Sequence, residues 1–292
     1  MKPAAFRYHR PATLDEALTL LAEHGDAAKP IAGGQSLVPM MNLRVAQPAE
    51  LVDLGDLAGL ASIGEVGGML EIGALACHQA LVDSALVRER CPLLAEAAGG
   101  IGHYAIRQRG TLGGSLAHAD PAAQLPLVAV TLGAEIEVAS QRGRRTLSAA
   151  DFFISVMTTA LGPDELIVAV RFPAAAAREG QAYRMFNRRS GDYAIVSVAA
   201  TLQLQLQGGR VERLRLGVGA VEPAPVLLAD LCAAQQGRGA NAAWVTEVAA
   251  AARMTVQTED DERMPAVYRQ ELVETLVSRA LTALMDRAGA QP

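Results

Sequence analysis

Ile31-Ala32-Gly33-Gly34-Gln35-Ser36 and Gly110-Thr111-Leu112-Gly113-Gly114-Ser115 share one pattern, a paired-glycine bend followed by a hydroxyl. Glycines without a Cβ allow φ > 0 and close backbone approach, and both are needed where several N–H donors must crowd around one phosphate. Two such bends facing each other suit a pyrophosphate. Neither segment contains GxxxxGKS or GxxxxGKT, and no GxGxxG opens a strand-to-helix unit. Taken singly, each pair is equally the sequence of an ordinary turn. That is the reading given to Gly67-Gly68 and Gly208-Gly209, in a chain whose 27 glycines supply such pairs freely.

The flanking residues favour a short strand over Lys29 to Ala32 feeding the first bend. Ser36 is placed to cap a helix through Leu37, Met40, Met41 and Leu43, with Pro39 tolerated in its first turn. A helix start aimed at the bend strengthens the anion reading. Upstream, Thr13 and Glu16 form a capping box before Leu14, Leu18 and Leu21, and Gly25 ends that helix. Downstream, Leu51-Val52-Asp53-Leu54 is strand-like. The run from Ala61 to Gly73 reads as a hairpin turning at Gly67-Gly68, and Gln79 to Arg90 and Pro92 to Ala98 read as helices. Glu135-Ile136-Glu137-Val138 and Leu166 to Phe172 read as strands.

Pro173 and the alanines from 174 to 177 mark a boundary, dividing residues 1–177 (subdomains about 1–55 and 56–177) from 178–292. Beyond it, Ala194 to Gln207 and Val211 to Val221 form an antiparallel hairpin at Gly208-Gly209. Leu272, Val273, Leu276, Val277, Ala280, Leu281, Leu284 and Met285 then make the apolar stripe of a C-terminal helix, with Arg269, Glu274, Arg279 and Arg287 off it.

A chain of 292 residues with net charge -5 can bury about three quarters of its unfolded surface without metal or disulfide support. Its acidity argues against nucleic acid or an anionic membrane as partner. Cys77, Cys91 and Cys232 are scattered and odd in number, which fits a reducing compartment and excludes a CxxC metal or cluster site. No metal ligand is assigned. The start, Met1-Lys2-Pro3-Ala4-Ala5-Phe6, lacks the apolar core of a signal peptide, and no apolar run reaches the roughly 18 residues of a membrane span. The expected location is cytoplasmic.

Lys29-Pro30-Ile31-Ala32-Gly33-Gly34-Gln35-Ser36-Leu37 and Thr111-Leu112-Gly113-Gly114-Ser115-Leu116-Ala117-His118-Ala119-Asp120-Pro121 resemble the two FAD-binding segments of the molybdenum hydroxylase flavoproteins. This family includes the medium subunit of aerobic carbon monoxide dehydrogenase and the flavin domain of xanthine dehydrogenase. Arg189-Ser190-Gly191-Asp192-Tyr193-Ala194 and Arg263-Met264-Pro265-Ala266-Val267-Tyr268-Arg269 resemble its C-terminal positions, so the likeness spans nearly the whole chain. It implies an α+β architecture: a two-subdomain FAD-binding fold of the p-cresol methylhydroxylase and vanillyl-alcohol oxidase type, then a small domain of antiparallel sheet plus helices.

On this resemblance Lys29 to Ser36 wrap the adenosine and pyrophosphate from one side and Thr111 to Ser115 from the other. Ile101 and Ile167 offer apolar contacts to the cofactor, and Tyr193 an aromatic near the isoalloxazine. Many relatives carry His at Gln35 and Asn at Ser115, exchanges that keep a hydrogen-bonding side chain. Gln124 stands where Asp is common, near the ribityl chain, and Met185 where some relatives place Lys. Those two departures put redox tuning, not binding, in question.

His118 and Asp120 are an imidazole and a carboxylate able to move protons at neutral pH; they are read as ordering the loop beneath the cofactor. No catalytic acid or base is assigned. Tyr193 also reads as a core aromatic.

With no nucleophile arrangement in the chain, the chemistry falls to a cofactor and to partners. The resemblance implies an FAD-carrying electron-transfer subunit of a multi-subunit molybdenum hydroxylase. A large molybdopterin subunit would oxidise the substrate, and a small subunit with two 2Fe-2S clusters would pass on single electrons, in a dimer of heterotrimers. Two alternatives stay open: a stand-alone reductase of the UDP-N-acetylenolpyruvoylglucosamine reductase type, and a non-catalytic scaffold.

Overall fold

A computed structural model describes residues 2–260 and 264–289; Arg263 of the last quoted string lies outside the described residues. The capping box at Thr13 forms with a shift. The Thr13 hydroxyl accepts the Glu16 N–H at 3.2 Å, while the Glu16 carboxylate accepts from Ala12, one residue early, at 2.8 Å. Gly25 closes the helix at φ 50.

The first lobe runs β1 (Arg7–His9), α1 (Leu14–His24), β2 (Ala28–Ile31), α2 (Leu37–Asn42) and β3 (Glu50–Asp53). Its strands form a parallel sheet in the order β1-β3-β2. Val52 packs with Ala17, Leu18 and Leu21 of α1, so the residues in register with it, Arg7, His9 and Glu50, lie on the α1 face. Tyr8, Leu51 and Asp53 belong to the opposite face.

The second lobe begins with the expected hairpin, β4 (Ile63–Val66) and β5 (Met69–Gly73), turning at Gly67-Gly68. The helical stretch then breaks into α3 (His78–Asp83) and α4 (Ala85–Arg90), where one helix was expected. Ser84 is the cause, because it ends α3 and its hydroxyl accepts the Val87 N–H to start α4 afresh. There follow α5 (Pro92–Gly99), α6 (Tyr104–Arg107), α7 (Leu112–His118), α8 (Gln124–Leu132), β6 (Glu135–Ser140), β7 (Gly143–Ser148), α9 (Ala149–Phe152), β8 (Phe153–Ser155), β9 (Thr158–Thr159) and β10 (Leu166–Pro173). The five-stranded sheet is antiparallel throughout, in the order β4-β5-β10-β6-β7.

The last third contains β11 (Glu179–Phe186), β12 (Val196–Leu204), β13 (Val211–Gly219), β14 (Val226–Leu227), α10 (Ala229–Ala233), α11 (Ala242–Thr255) and α12 (Ala266–Gly289). Its four strands pair antiparallel in sequence order. Val196, Val198, Ala200 and Leu202 of β12 join the apolar stripe of α12 and Trp244, Val245 and Val248 of α11. The other face meets α8, every residue of which is buried. A Cβ at Gly217 would lie 2.0 Å from the Thr131 hydroxyl, so the bare Cα is what lets α8 close onto β13. Among the described residues no helix is long and apolar enough to cross a membrane.

Candidate functional site: a cleft between two glycine segments

At the end of β2 the chain turns through Gly34, at φ 70, into α2, with Pro39 in the first helical turn as expected. The N–H groups of Gly33, Gly34, Gln35 and Ser36 bond to no atom among the described residues. The Gln35 amide folds back and donates to the Gly33 carbonyl at 3.0 Å, leaving that row of donors open. Ser36 occupies the N-cap position, but its side chain does not cap α2. Its hydroxyl instead lies near the Tyr193 hydroxyl.

The second segment is built differently. Thr111 accepts the Gly114 N–H at 3.1 Å and caps α7, so Gly113 and Gly114 lie in the first turn of a helix, and neither has a positive φ. Its donors are already committed. Leu112 donates to Ala76 O at 3.0 Å, Gly113 to Ala74 O at 2.8 Å, and Ser115 to Thr111 O at 3.0 Å. The expected second amide cradle is therefore corrected: this wall offers the Thr111 and Ser115 hydroxyls and a smooth backbone. Gly113 is glycine because a Cβ there would lie 2.6 Å from the Ala74 Cβ. The Leu112 side chain is wholly buried in the second lobe's core.

The two segments meet edge to edge. A Cβ on Gly33 would lie 1.9 Å from the Arg109 carbonyl oxygen, and one on Gly114 would lie 3.8 Å from the Ala32 Cβ. Beside this contact is a cleft of about 440 Å³, walled by Ile31 to Gln35 with Tyr8, Asp53 and Arg109 at its margin. Lys29 is exposed and Pro30 half-buried on β2.

Under the second segment lies a residue that motif reading missed. His78, 6% exposed, bonds the Thr111 carbonyl through Nε2 at 3.0 Å, and its ring fills the space that a Cβ on Gly110 would take. The acceptor is a carbonyl, so Nε2 carries the proton. Burial pushes the imidazole down to about 4, against the Thr111 bond and with the help of the Arg107 charge. At neutral pH His78 is an uncharged strut holding the capping residue of α7.

Tyr193 is half exposed; its hydroxyl is raised by burial and by the charge of Asp120, with the nearby Ser36 hydroxyl opposing. Ser36, Asp120 and Tyr193 thus come together from three separate parts of the chain. Asp120 also accepts the Ala122 N–H at 2.8 Å, which orders the loop after His118, the last residue of α7. Ile101 packs half-buried against the second core, and Ile167 lies within it. The buried Gln124 amide reaches the Gly100 carbonyl at 3.4 Å and the Met185 sulfur at 3.8 Å. The two departures from the family pattern therefore touch, one neutral group beside another.

A row of unpaired N–H donors beside a smooth, hydroxyl-bearing wall fits the diphosphate of a dinucleotide, and with the lobed architecture it defines a flavin-binding oxidoreductase subunit. Residues 4–175 match the family described as the FAD binding domain in molybdopterin dehydrogenase, and residues 181–284 match the CO dehydrogenase flavoprotein C-terminal domain. The chain belongs to the FAD-binding medium subunits of the molybdenum hydroxylases, and FAD is its cofactor.

Among its relatives, the 6-hydroxypseudooxynicotine dehydrogenase complex subunit alpha of Paenarthrobacter nicotinovorans is 39% identical, over 99% of this chain and 97% of that one. The carbon monoxide dehydrogenase medium chain of Afipia carboxidovorans is 33% identical, over 99% of both. Carbon monoxide dehydrogenase from Hydrogenophaga pseudoflava, solved without the Mo-pyranopterin moiety of its molybdenum cofactor, superposes with a TM-score of 0.94 at 37% identity, covering 98% of this chain and 99% of that one.

Proposed function

We propose that this chain is the electron-transfer subunit of a three-chain molybdenum hydroxylase, standing between the 2Fe-2S clusters of a small partner and an external acceptor. Bound FAD supplies the exchange between one-electron and two-electron steps. This chain's own residues bind and shield it. The free N–H groups of Gly33 to Ser36 would hold the diphosphate, the Thr111 and Ser115 hydroxyls would close on it from the other wall, and Tyr193, near Ser36, would stand beside the isoalloxazine. Gln124 and Met185 bring no charge to the flavin's surroundings.

The division into residues 1–177 and 178–292, the large molybdopterin partner that oxidises the substrate, the dimer of heterotrimers and the cytoplasmic location belong to the same reading. The single observation that carries it is the row of four uncommitted main-chain donors facing the Thr111 segment. No observation favours the stand-alone reductase or the scaffold.

The test is co-expression with the two neighbouring reading frames. One FAD per chain, co-elution of a large and a small subunit, and substrate-driven reduction of an external acceptor are expected. A yellow monomer that binds neither partner, or a colourless one after saturation with FAD, would refute the proposal.

A further inference from the structure

The face of the first sheet that turns away from the cleft gathers a second set of donors. Arg7, His9 and Glu50 share that face, and α1 brings His24 to it from its last turn. The Glu50 side chain is only 3% exposed. Its Oε1 accepts from Arg7 Nε at 2.8 Å and from Nη2, while Oε2 is left to His9 Nε2 at 2.7 Å. Ion pairing accounts for Arg7, Glu50 and His9, whereas His24 adds only its charge near Glu50 and bonds none of them. The His24 ring stands 5.4 Å from the His9 ring, and its nitrogens form no hydrogen bond among the described residues. One ligand atom from each of His9, His24 and Glu50 lies within 4.8 Å of the other two.

We propose that His9, His24 and Glu50 form a binding site for a divalent transition-metal cation of the zinc class. Two imidazoles and one carboxylate are a zinc ligand set, with a fourth position for water; calcium and magnesium would require oxygen donors. Bonds of about 2.1 Å in a tetrahedron set neighbouring ligands roughly 3.4 Å apart, so His9 and Glu50 part slightly and the half-buried His24 swings in. Arg7 keeps Oε1 and becomes an outer partner of the bound carboxylate. Its positive charge opposes the cation, but its side chain is 76% exposed and Glu23 lies near it, so the repulsion is screened. The ion would clip β1, β3 and the end of α1 together. The site is independent of the flavin reading, because it lies on the opposite face of the sheet from the cleft.

The test titrates the full FAD-loaded chain with Zn²⁺ by calorimetry and with Co²⁺ by visible absorption. One equivalent of Zn²⁺, a higher melting temperature and the bands of tetrahedral Co²⁺ are expected. His24→Ala should weaken Zn²⁺ binding by more than the ~100-fold that loss of an outer partner costs. It should leave flavin content unchanged and lower metal-free stability by about 1 kcal/mol at most, about fivefold in the unfolding constant, since it removes a ring contact but no hydrogen bond. Arg7→Gln, which alters only an outer partner, should weaken binding by no more than ~100-fold. The site is overturned by the absence of stoichiometric binding, by equal affinity in the parent and His24→Ala, or by a thiolate charge-transfer band that puts the ion on a cysteine.

Discussion

The segments at Gly33-Gly34 and Gly113-Gly114 look alike as text and do opposite things. In the first, Gly33 lets the chain pass against Arg109, Gly34 adopts a left-handed turn, and four N–H groups bond to no atom among the described residues. In the second, glycine serves the protein, because the first turn of α7 must pass against Ala74, and its N–H groups are spent on Ala74, Ala76 and Thr111. A glycine pair therefore reports close approach. Whether that approach is to a cofactor or to another strand is decided by where the neighbouring donors go.

Substitutions should separate the two walls. Gly33→Ala puts a Cβ against the Arg109 carbonyl, which no side-chain rotation can relieve. It should destabilise the chain by about 3 kcal/mol or more and yield protein without flavin, read as the flavin-to-protein absorbance ratio.

Acid should act on the second wall through His78. This imidazole titrates at about 4 when folded and at its ordinary 6.5 when unfolded, so between those values the unfolded chain takes up the proton first. The contribution of His78 is whole above pH 6.5 and is lost as pH falls towards 4, for a total of about 3 kcal/mol. Denaturant midpoints measured across that range should slope less in His78→Gln than in the parent.

Gly113→Ala should cost about 2 kcal/mol of stability while lowering FAD affinity much less than Gly33→Ala does, because this wall presents no amide row. If the two substitutions release flavin equally, the contrast between the walls is wrong. The smallest effect should come from Thr111→Val, which keeps the shape but removes the cap of α7. About 1 kcal/mol in thermal unfolding and a modest loss of flavin affinity are expected.

Much of this architecture is legible in the sequence where the signal is local. The hairpins at Gly67-Gly68 and Gly208-Gly209, the turn into α2 with Pro39 in its first turn, and the apolar stripe of α12 each follow from a few neighbouring residues. The break at Ser84 is hidden in the sequence because apolar residues continue on both sides of it, at Leu81, Val82, Ala85 and Leu86, and the competing hydrogen bond is a single hydroxyl. His78 under Thr111, Ser36 against Tyr193 and Gln124 against Met185 depend on contacts between distant segments, which no spacing rule encodes. The fate of the second segment's amides depends on Ala74 and Ala76, two unremarkable alanines whose carbonyls matter only once the lobe is assembled.

Because α8 has no wet side, being pressed between the second lobe and β13, it works as a keystone shared by two interiors. Neither half can pivot about it without exposing a wall of leucine and valine to water. The second lobe and the C-terminal third therefore move as one body, and any opening of the cleft falls to the first lobe.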